Sequence, residues 1–594
     1  MSGGGSFQVS PGILTREIDA TNVIPAVSTA IGAFAGSFSW GPVEEPVLIG
    51  SEKELAQVFG EPDASNSLDF LTAASFLKYS NSLWVSRVSD TGAQTATDDG
   101  GVNPIKSDDD FQRYLNDSPA PTASVVSRYP GLIGNDVLLR FNAFGGGNAI
   151  ERGFDYEPDA TVEGLTYADG ETLYDEVHVE VLLDGLVVEK YTGLSIATDA
   201  KDERGANIYF KDVLNRDSKY VRVVDITVAT YDSPTADIVL NKTLVELQAM
   251  SDSLDSPFDS PFGPIGLDQN IIAFLNATTY ALSGGAAGTI SADAGVNAIE
   301  AFADAETIDI SLIFTSCQDV AGSEWSATEQ ALNTIVTSRK DCVGFISAPL
   351  QIAKAQSDDD KRKLVFDDAT SGKFSYSGSK HNSYLVFDAS PVETYNKYLD
   401  RYEWIPASGH MAGLCANTDL VADPWFSPAG FNRGRIKAVS RLAFNPKKAS
   451  RDLLYKGGVN FMTAFPGEGI VLYGDKTGQT KPSAFDRINV RRLFIVLEKA
   501  IAKAAKYQLF ELNDEFTRAT FRNMVIPFLR EVQGRRGVTD FAVVCDSTNN
   551  TGEIIDTNQF VGDIYIKPAR SINYITLNFI ATRTGVEFTE IVGS

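Results

Sequence analysis

The spacing of apolar residues in the first part of the chain predicts mixed α/β structure. Residues 83–88 form a short apolar run that is typical of a buried strand. Ser51 followed by Glu54 is a capping-box pattern that marks the start of a helix. Apolar residues recur at helical spacing over 68–79, which predicts a second helix. We therefore interpret residues 26–90 as part of an α/β domain.

A different pattern dominates residues 91–265, where strands prevail. One of them alternates apolar and polar side chains, with apolar ones at Val177, Val179, Val181 and Leu183. Asp184-Gly185 follows directly and is a strong signal for a tight hairpin turn. This stretch predicts a β-rich insertion that divides the α/β domain into residues 26–90 and 266–429.

The second part of that domain alternates strands with helices. Residues 308–315 form an apolar run, 326–340 have a helical pattern and 342–346 form the next apolar run. Strand, helix and strand at this spacing predict a parallel or mixed sheet.

The clearest helical pattern lies in residues 430–582, which we predict to be a separate α/β domain. A long amphipathic helix is expected over 486–512, and a second over 514–533 with a kink at Pro527. Strands are expected after these helices, at 541–545, 562–567, 575–579 and 586–589.

Both ends of the chain are expected to be extended arms, over residues 1–25 and 583–594. Each has few apolar side chains, notably Phe7, Val9 and Ile13 in the first and Val586, Phe588 and Ile591 in the second. Segments with so little apolar surface either fray or pair with a partner. The closing strands could complete the chain's own sheet, or they could add to the sheet of a neighbour.

Charge is distributed unevenly along the chain. Residues 430–594 contain 24 basic and 16 acidic side chains, whereas residues 1–429 contain 27 basic and 62 acidic ones. This asymmetry is consistent with simple drift between unrelated domains, or with a basic domain that faces an acidic partner. The formal net charge of −27 argues against a protein that coats nucleic acid.

Length and residue usage exclude several classes of protein. A chain of 594 residues exceeds the ~250–300 residues of a single hydrophobic core, so several domains are expected. The four cysteines form no CxxC pair, which excludes a disulfide scaffold and a compact cysteine zinc site. Three histidines leave little scope for a metal centre. We expect neither a metal nor a cofactor.

One uncharged stretch has the length of a membrane span. Residues 20–43 carry no charge, but proline, glycine, serine and threonine dilute their apolar character. A buried strand and turn is the better interpretation. The first residues also lack the basic and apolar regions of a secretory signal, so we expect a soluble protein.

Motifs for catalysis are weak. Gly469 to Lys476 approaches the phosphate-binding P-loop, but Asp475 stands where the lysine should follow the second glycine. There is no Gly-x-Ser-x-Gly motif, and a hydrolytic triad would have to use His410, which we expect to pack or hydrogen-bond locally. The acidic run 358–360 is typical of a solvated surface. These observations predict that the protein is not an enzyme.

Several short segments, in the same order along the chain, resemble the contractile tail sheath proteins of bacteriophages and related injection machines. They are Ser10-Pro-Gly-Ile-Leu-Thr-Arg-Glu, the Tyr129-Pro-Gly to Gly134-Asn135 turn, Leu282-Ser-Gly-Gly285, 404–413, 419–432, Asn489-Val-Arg-Arg-Leu and Asn513-Asp-Glu-Phe-Thr-Arg518. Few residues of the 91–265 insertion take part in the resemblance.

The resemblance implies a multidomain α/β (α+β) fold. The central α/β domain would be subtilisin-like without a catalytic triad, and the β-rich insertion would lie on the outside. The terminal arms would exchange strands with neighbouring subunits. The inner C-terminal domain, 430–582, would hold the tail tube, with Arg518, Arg522 and Arg530 as the candidate tube-facing residues.

The resemblance also implies a function: subunits would stack as helical rings around the inner tail tube and contract to drive it through the host envelope. The implied partners are copies of the chain, the tube protein, and baseplate and tail terminator proteins, with no nucleic acid and no membrane insertion. The protein would belong to the virion after assembly in the host cytoplasm. Two alternatives remain, another structural tail or baseplate component and a hydrolase that uses His410.

Overall fold

The computed structural model describes most of the chain. The described residues are 28–89, 92–116, 121–143, 176–195, 201, 204–224, 227–231, 239–243, 279–288, 292–316, 325–366, 373–374, 382–479, 481–573 and 576. The six predicted arm residues, Phe7, Val9, Ile13, Val586, Phe588 and Ile591, lie outside them, as does the expected strand 586–589.

The strands and helices are labelled in chain order. The strands are β1 (Gly32–Ser37), β2 (Val47–Ile49), β3 (Leu83–Val88), β4 (Ala93–Gln94), β5 (Val125–Ser127), β6 (Val137–Ala143), β7 (Glu176–Leu183), β8 (Leu186–Ser195), β9 (Val221–Val223), β10 (Thr227–Tyr231), β11 (Val239–Thr243), β12 (Thr279–Ala281), β13 (Ala286–Ala287), β14 (Leu312–Thr315), β15 (Val343–Ile346), β16 (Leu385–Asp388), β17 (Val392–Asn396), β18 (Arg401–Ile405), β19 (Arg441–Leu442), β20 (Val459–Asn460), β21 (Met462–Phe465), β22 (Gly469–Leu472), β23 (Val538–Val544) and β24 (Asp563–Pro568). The helices are α1 (Glu52–Phe59), α2 (Ser67–Leu77), α3 (Asp108–Leu115), α4 (Phe210–Asp217), α5 (Ala292–Glu300), α6 (Ala327–Arg339), α7 (Asp358–Val365), α8 (Ser408–Val421), α9 (Lys448–Lys456), α10 (Ile488–Ala505), α11 (Glu515–Gly534) and α12 (Gly552–Asp556).

The described chain packs as two compact units. The larger unit comprises Thr29–Val421 and Pro428–Lys481, and the smaller one contains Ala422–Ser427 and the described part of Pro482–Ser594. This division departs from the domain boundary expected at residue 430. The physical reason is that β20 extends the main sheet of the larger unit by pairing with β16.

A seven-stranded sheet forms the centre of the larger unit. Its strand order is β2-β3-β1-β14-β15-β16-β20, and every neighbouring pair is parallel except β2 with β3. Helices α2 and α8 pack on one face, and α5 and α6 pack on the other. A parallel sheet requires this cover on both faces, which explains why its strands read as continuous apolar runs. The predicted α/β architecture is confirmed.

Aromatic packing fixes the centre of this sheet. Phe34 on β1 pairs with Phe314 on β14, and their ring centroids lie 5.2 Å apart. Phe76 from α2 stacks on Phe314 at 5.4 Å. A Cβ atom at Gly32 would lie only 2.6 Å from the Phe76 ring, so β1 requires glycine there. Burial of each such ring contributes about 1.5–3 kcal/mol.

The inserted region contains a four-stranded antiparallel sheet with the order β12-β6-β7-β8. The predicted hairpin joins β7 to β8, and both turn residues have positive φ, 52° at Asp184 and 76° at Gly185. These angles are those that a tight two-residue hairpin turn needs. Strand β12 lies beyond the insertion boundary expected at 265, because it completes this sheet by pairing with β6.

A buried arginine joins the insertion to the central sheet. The Arg87 guanidinium donates to the carbonyl oxygens of Phe38 and Gly41 at 2.9 Å each, and to that of Pro130 in the insertion at 2.8 Å. Burial lowers the pKa of Arg87 to about 9. These backbone carbonyl acceptors satisfy the hydrogen-bond donors of a buried cation without a carboxylate.

The Tyr129 to Asn135 turn is held on its other side by a paired amide contact. The Asn135 Nδ2 donates to the Gly285 carbonyl at 2.9 Å, and the Gly285 N–H donates to Asn135 Oδ1 at 2.7 Å. The side chain thus reproduces the paired hydrogen bonds of a strand ladder, which fixes the point where the chain returns from the insertion.

The smaller unit packs α10 and α11 against each other and against the hairpin of β23 and β24. Apolar residues at three- and four-residue spacing fill its core, namely Leu493, Leu497, Ile501, Phe521, Val525, Leu529 and Val532. Trp425 joins this core, and its indole N–H donates to the Arg535 carbonyl at 3.0 Å. Helix α10 ends at Ala505, earlier than predicted, whereas α11 continues through Pro527.

The uncharged stretch 20–43 is not helical where it is described. Its residues 32–37 form strand β1, which confirms the predicted buried strand. Among the helices of the described residues, none has the combination of length and apolar character that crossing a bilayer requires.

Candidate assembly surfaces

Strands β23 and β24 form an antiparallel hairpin with two different faces. Phe541 pairs with Ile566, and Val543 pairs with Ile564, and these four side chains pack half-buried against the helices. Asp540 and Lys567 form an ion pair at 3.0 Å on exposed positions. The alternation places one face on the core and leaves the other in water, as in a one-sided antiparallel sheet.

Both outer edges of this hairpin are unpaired within the part of the chain that the structure describes, because its sheet has only these two strands. Two strands cover about 10 Å, since neighbours lie ~4.8 Å apart. Two packed helices span roughly twice that width, because their axes alone are 8–10 Å apart. The hairpin therefore has room for further strands on each side, and its unpaired N–H and C=O groups form a template for them.

Two of the three predicted arginines are engaged inside the smaller unit. Arg518 is buried, and it donates to Asn513 Oδ1 at 2.8 Å and to Glu515 at 3.4 Å. Arg522 donates to the Cys545 carbonyl and to Glu515 at 2.9 Å. The guanidinium of Arg522 keeps the pKa of Glu515 below its usual value. Both arginines thus fix the start of α11.

Arg530 occupies a different environment. It is exposed near the end of α11, and it makes no hydrogen bond or ion pair with any described residue. Fifteen residues separate it from Glu515 at the start of the helix, which corresponds to about 22 Å at 1.5 Å per residue. The structure therefore does not bring the three arginines together as one patch.

The basic excess predicted for the C-terminal domain belongs mostly to the larger unit. Residues 428–481 contain 10 basic and 3 acidic side chains, whereas residues 482–594 contain 14 basic and 13 acidic ones. The region outside the larger unit is therefore almost neutral. Net charge in residues 482–594 therefore gives little support to long-range attraction of an acidic partner.

The smaller unit contains an exposed apolar segment that was not expected from the sequence. Residues 506–512, which were expected to continue α10, instead form a 3₁₀ turn and a loop that exposes several large apolar side chains. The signal was present in the sequence, because Tyr507, Leu509, Phe510 and Leu512 do not follow the 3.6-residue period of the helix.

The described contacts of His410 are those of a packed side chain. It lies in the first turn of α8, not in a loop, and it is fully buried. Tyr79 accepts the Lys437 N–H at 2.7 Å, so its hydroxyl donates to His410 Nδ1 at 3.2 Å. Burial lowers the pKa of His410 to about 3, so the ring is neutral. This local hydrogen bond is the one expected of a structural histidine.

The other candidate motifs also have structural roles. The glycine run that resembles a P-loop begins in β22, which pairs with β21, so its amides are used in a sheet. Asp475 is buried and accepts a hydrogen bond from Tyr455 at 3.2 Å. The acidic run 358–360 forms the first turn of α7. In the described ranges, no group of histidine, cysteine and carboxylate side chains has the arrangement of a metal site.

Three protein-family models match the chain. The phage tail sheath protein central domain matches residues 285–478, and the phage tail sheath C-terminal domain matches residues 480–582. The N-terminal region of domain III of the tail sheath protein Gp18 matches residues 29–88.

Full-length relatives are similar over almost the whole chain. The tail sheath protein of Vibrio phage KVP40 is 33% identical, over 98% of this chain and 100% of its own length. The tail sheath protein of Enterobacteria phage T4 is 32% identical, over 98% and 99% respectively. Among solved structures, the sheath tail protein Lin1278 from Listeria innocua has a similar fold, with a TM-score of 0.52, 13% identity, and coverage of 92% of this chain and 93% of that one.

Proposed function

The chain belongs to the phage tail sheath protein family, and from this premise we propose how its surfaces build and move a sheath. It is a structural subunit of a contractile tail sheath. Copies polymerise as stacked helical rings around the inner tail tube, and contraction drives the tube through the host envelope for genome ejection. The second candidate is another structural tail or baseplate component, or the sheath of a phage-like contractile injection particle.

The main structural support for this proposal is the hairpin of β23 and β24. Its two unpaired edges accept the terminal arms of neighbouring subunits, which supply Phe7, Val9 and Ile13 on one strand and Val586, Phe588 and Ile591 on another. Main-chain hydrogen bonds give such strand addition its affinity, and alternate side chains complete the apolar face over the helices. The result is a network of exchanged strands that links each subunit to its neighbours.

Contraction then proceeds without nucleotide hydrolysis. The extended assembly is metastable, and small differences in packing free energy per subunit add up along the sheath. The exchanged strands act as tethers and hinges while the larger units rearrange around them. This mechanism fits a chain whose phosphate-loop and triad candidates are used for packing in the described structure.

The central domain is proposed to be subtilisin-like in topology and non-enzymatic. A mostly parallel sheet between two helical layers is compatible with that topology. The neutral, buried His410 and its Tyr79 partner support a role in packing. The insertion at 91–265 is proposed to lie on the outside of the sheath, where its acidic character favours solubility.

Arg530 remains the proposed tube-facing residue in the inner domain. Arg518 and Arg522 were assigned the same role, and their internal hydrogen bonds support a positioning role instead. The other proposed partners are baseplate and tail terminator proteins. The subunit is proposed to enter the virion after assembly in the host cytoplasm, with no nucleic acid or membrane contact.

Deletion of the N-terminal arm tests strand exchange. Removal of residues 1–18 should abolish long tubes in negative-stain electron microscopy after co-expression with the tube protein, while circular dichroism of the body is unchanged. Deletion of the hairpin turn residues of the insertion, Asp184 and Gly185, provides a control in the larger unit, which does not contain β23 and β24. Normal tubes that contract normally without residues 1–18 would contradict the arm mechanism.

A further inference from the structure

Residues 506–516, the connection between α10 and α11 together with the first two residues of α11, expose a dense cluster of large apolar side chains, and we call this segment the apolar loop. Its five large apolar residues are 64–105% exposed, namely Tyr507, Leu509, Phe510, Leu512 and Phe516. Single exposed apolar residues need no explanation, but a contiguous patch on a folded protein marks an interaction surface.

The apolar loop has a defined shape at its base. Asn513 donates to the Gln559 carbonyl at 2.8 Å and accepts from Arg518 at 2.8 Å. Asp514 caps α11 by accepting the Thr517 N–H at 2.8 Å. Above this base, Phe510 adopts a φ of 69°, in the left-handed region that bulky residues rarely occupy. A held backbone with outward rings loses little entropy on binding, which is a property of a preorganised contact.

The size and charge of the patch define the kind of contact. Three aromatic rings at ~150 Å² each offer about 450 Å². With the two leucine side chains, the area approaches the ~800 Å² per partner of a standard stable interface. The region from 482 onward carries 14 basic and 13 acidic side chains, so net charge contributes little attraction. The partner surface must therefore be apolar.

The two available partners for the apolar loop are the tube protein and a neighbouring sheath subunit. Contraction distinguishes between them, and this inference therefore rests on the proposed function. The tube leaves the sheath during contraction. If the apolar loop bound the tube, contraction would return its apolar area to water in every subunit, and the hydrophobic effect would oppose the movement. A contact between sheath subunits has no such consequence. We infer that the apolar loop packs against a neighbouring copy of this chain.

The test uses a double substitution, F510S with L512S, in the full-length protein. The critical concentration for polymers, measured by sedimentation and negative-stain electron microscopy with tube protein present, should rise at least about tenfold, because two buried apolar contacts are lost. Leu186→Ser is the matched control, since Leu186 is 72% exposed in the insertion. It should leave the critical concentration unchanged, and thermal unfolding of both variants should resemble that of the wild type.

A photo-crosslinking phenylalanine analogue at position 510 identifies the partner directly. The expected product is a covalent pair of sheath chains within the polymer. Polymerisation of the double variant at the wild-type concentration would overturn the inference, and so would a crosslink to the tube protein alone. If the wild-type chain forms no polymer even with tube and baseplate proteins, the proposed function itself fails.

Discussion

The central sheet and the smaller unit differ in how much of their strand edges and apolar surface is paired or covered within the described chain. In the central sheet, seven strands are paired and helices cover both faces. In the smaller unit, the described sheet has two strands, half-buried apolar residues and an exposed apolar loop. The first region has what a stable fold requires within one chain. The second has, among its described residues, unpaired strand edges and exposed apolar surface.

The largest effect on stability is expected for a substitution in the central sheet of the larger unit. Phe314→Ala removes a ring that packs between Phe34 and Phe76, so it should lower the free energy of unfolding of the larger unit by about 3–5 kcal/mol. Denaturant unfolding followed by circular dichroism measures the loss. Leu132→Ala, at an exposed position, is the control and should change stability by less than ~0.5 kcal/mol. Equal effects of the two substitutions would contradict the packing described for the sheet.

A buried carboxyl at the end of β16 should make the same region sensitive to pH. Asp388 accepts hydrogen bonds from the Ser347 hydroxyl at 2.6 Å and from the Ser390 N–H at 3.2 Å. Burial nevertheless raises its pKa from 3.8 to about 7. The folded state therefore holds this proton more tightly than the unfolded chain does. Stability from this group is greatest at low pH and is lost as pH rises from about 4 to about 7.

The variant Asp388→Asn isolates that contribution. At 1.36 kcal/mol per pKa unit, the wild type should lose up to about 4 kcal/mol between pH 4 and pH 7 that the variant does not lose. Unfolding in denaturant at several pH values gives the difference between the two proteins. An identical pH dependence for both would show that Asp388 is ionised throughout this range.

In the smaller unit, substitutions of Arg518 and Arg530 on α11 should have different effects. The first should lower the stability of the unit, and the second should weaken binding of the sheath to the tube. Arg518→Ala leaves Asn513 Oδ1 without the Arg518 donor and removes one of the two arginines that donate to Glu515, so it should destabilise this unit by about 1–3 kcal/mol. Arg530→Ala should change stability by less than ~0.5 kcal/mol, because no described residue depends on it. Binding of assembled sheath to tube, measured by co-sedimentation, should instead weaken in the Arg530 variant. A stable Arg518 variant with weakened tube binding would reverse the two roles.

Local signals in the sequence predicted local structure well. The Asp184-Gly185 dipeptide placed a hairpin turn correctly, because its geometry depends on those two residues alone. Ser51 caps the start of α1 by accepting the Glu54 N–H at 3.2 Å, at the position where the Ser51 and Glu54 pattern predicted a helix start. Strand β3 was expected over the residues that form it, since Leu83, Val85 and Val88 mark a buried segment.

Features that depend on residues far apart in the chain were harder to predict from the sequence. Strand β20 joins β16 from about seventy residues away, and charge gave no indication of that pairing when the boundary was placed at 430. The roles of Arg518 and Arg530 depend on which side chains surround them after folding. Arginine at a helical surface position has the same appearance in sequence whether it is engaged or exposed.

A small effect on stability is predicted at the start of α11. The N-cap residue there, Asp514, both caps the helix and lies at the base of the apolar loop. Asp514 accepts the Thr517 N–H at 2.8 Å, and this backbone hydrogen bond keeps the pKa of Asp514 low. Asp514→Ala removes the N-cap hydrogen bond and should lower the stability of the smaller unit slightly. Asp514→Asn retains an acceptor oxygen and should recover most of it, as thermal unfolding can show. Since the cap also holds the base of the apolar loop, the alanine variant should polymerise less readily than its small loss of stability implies, whereas the asparagine variant should polymerise normally.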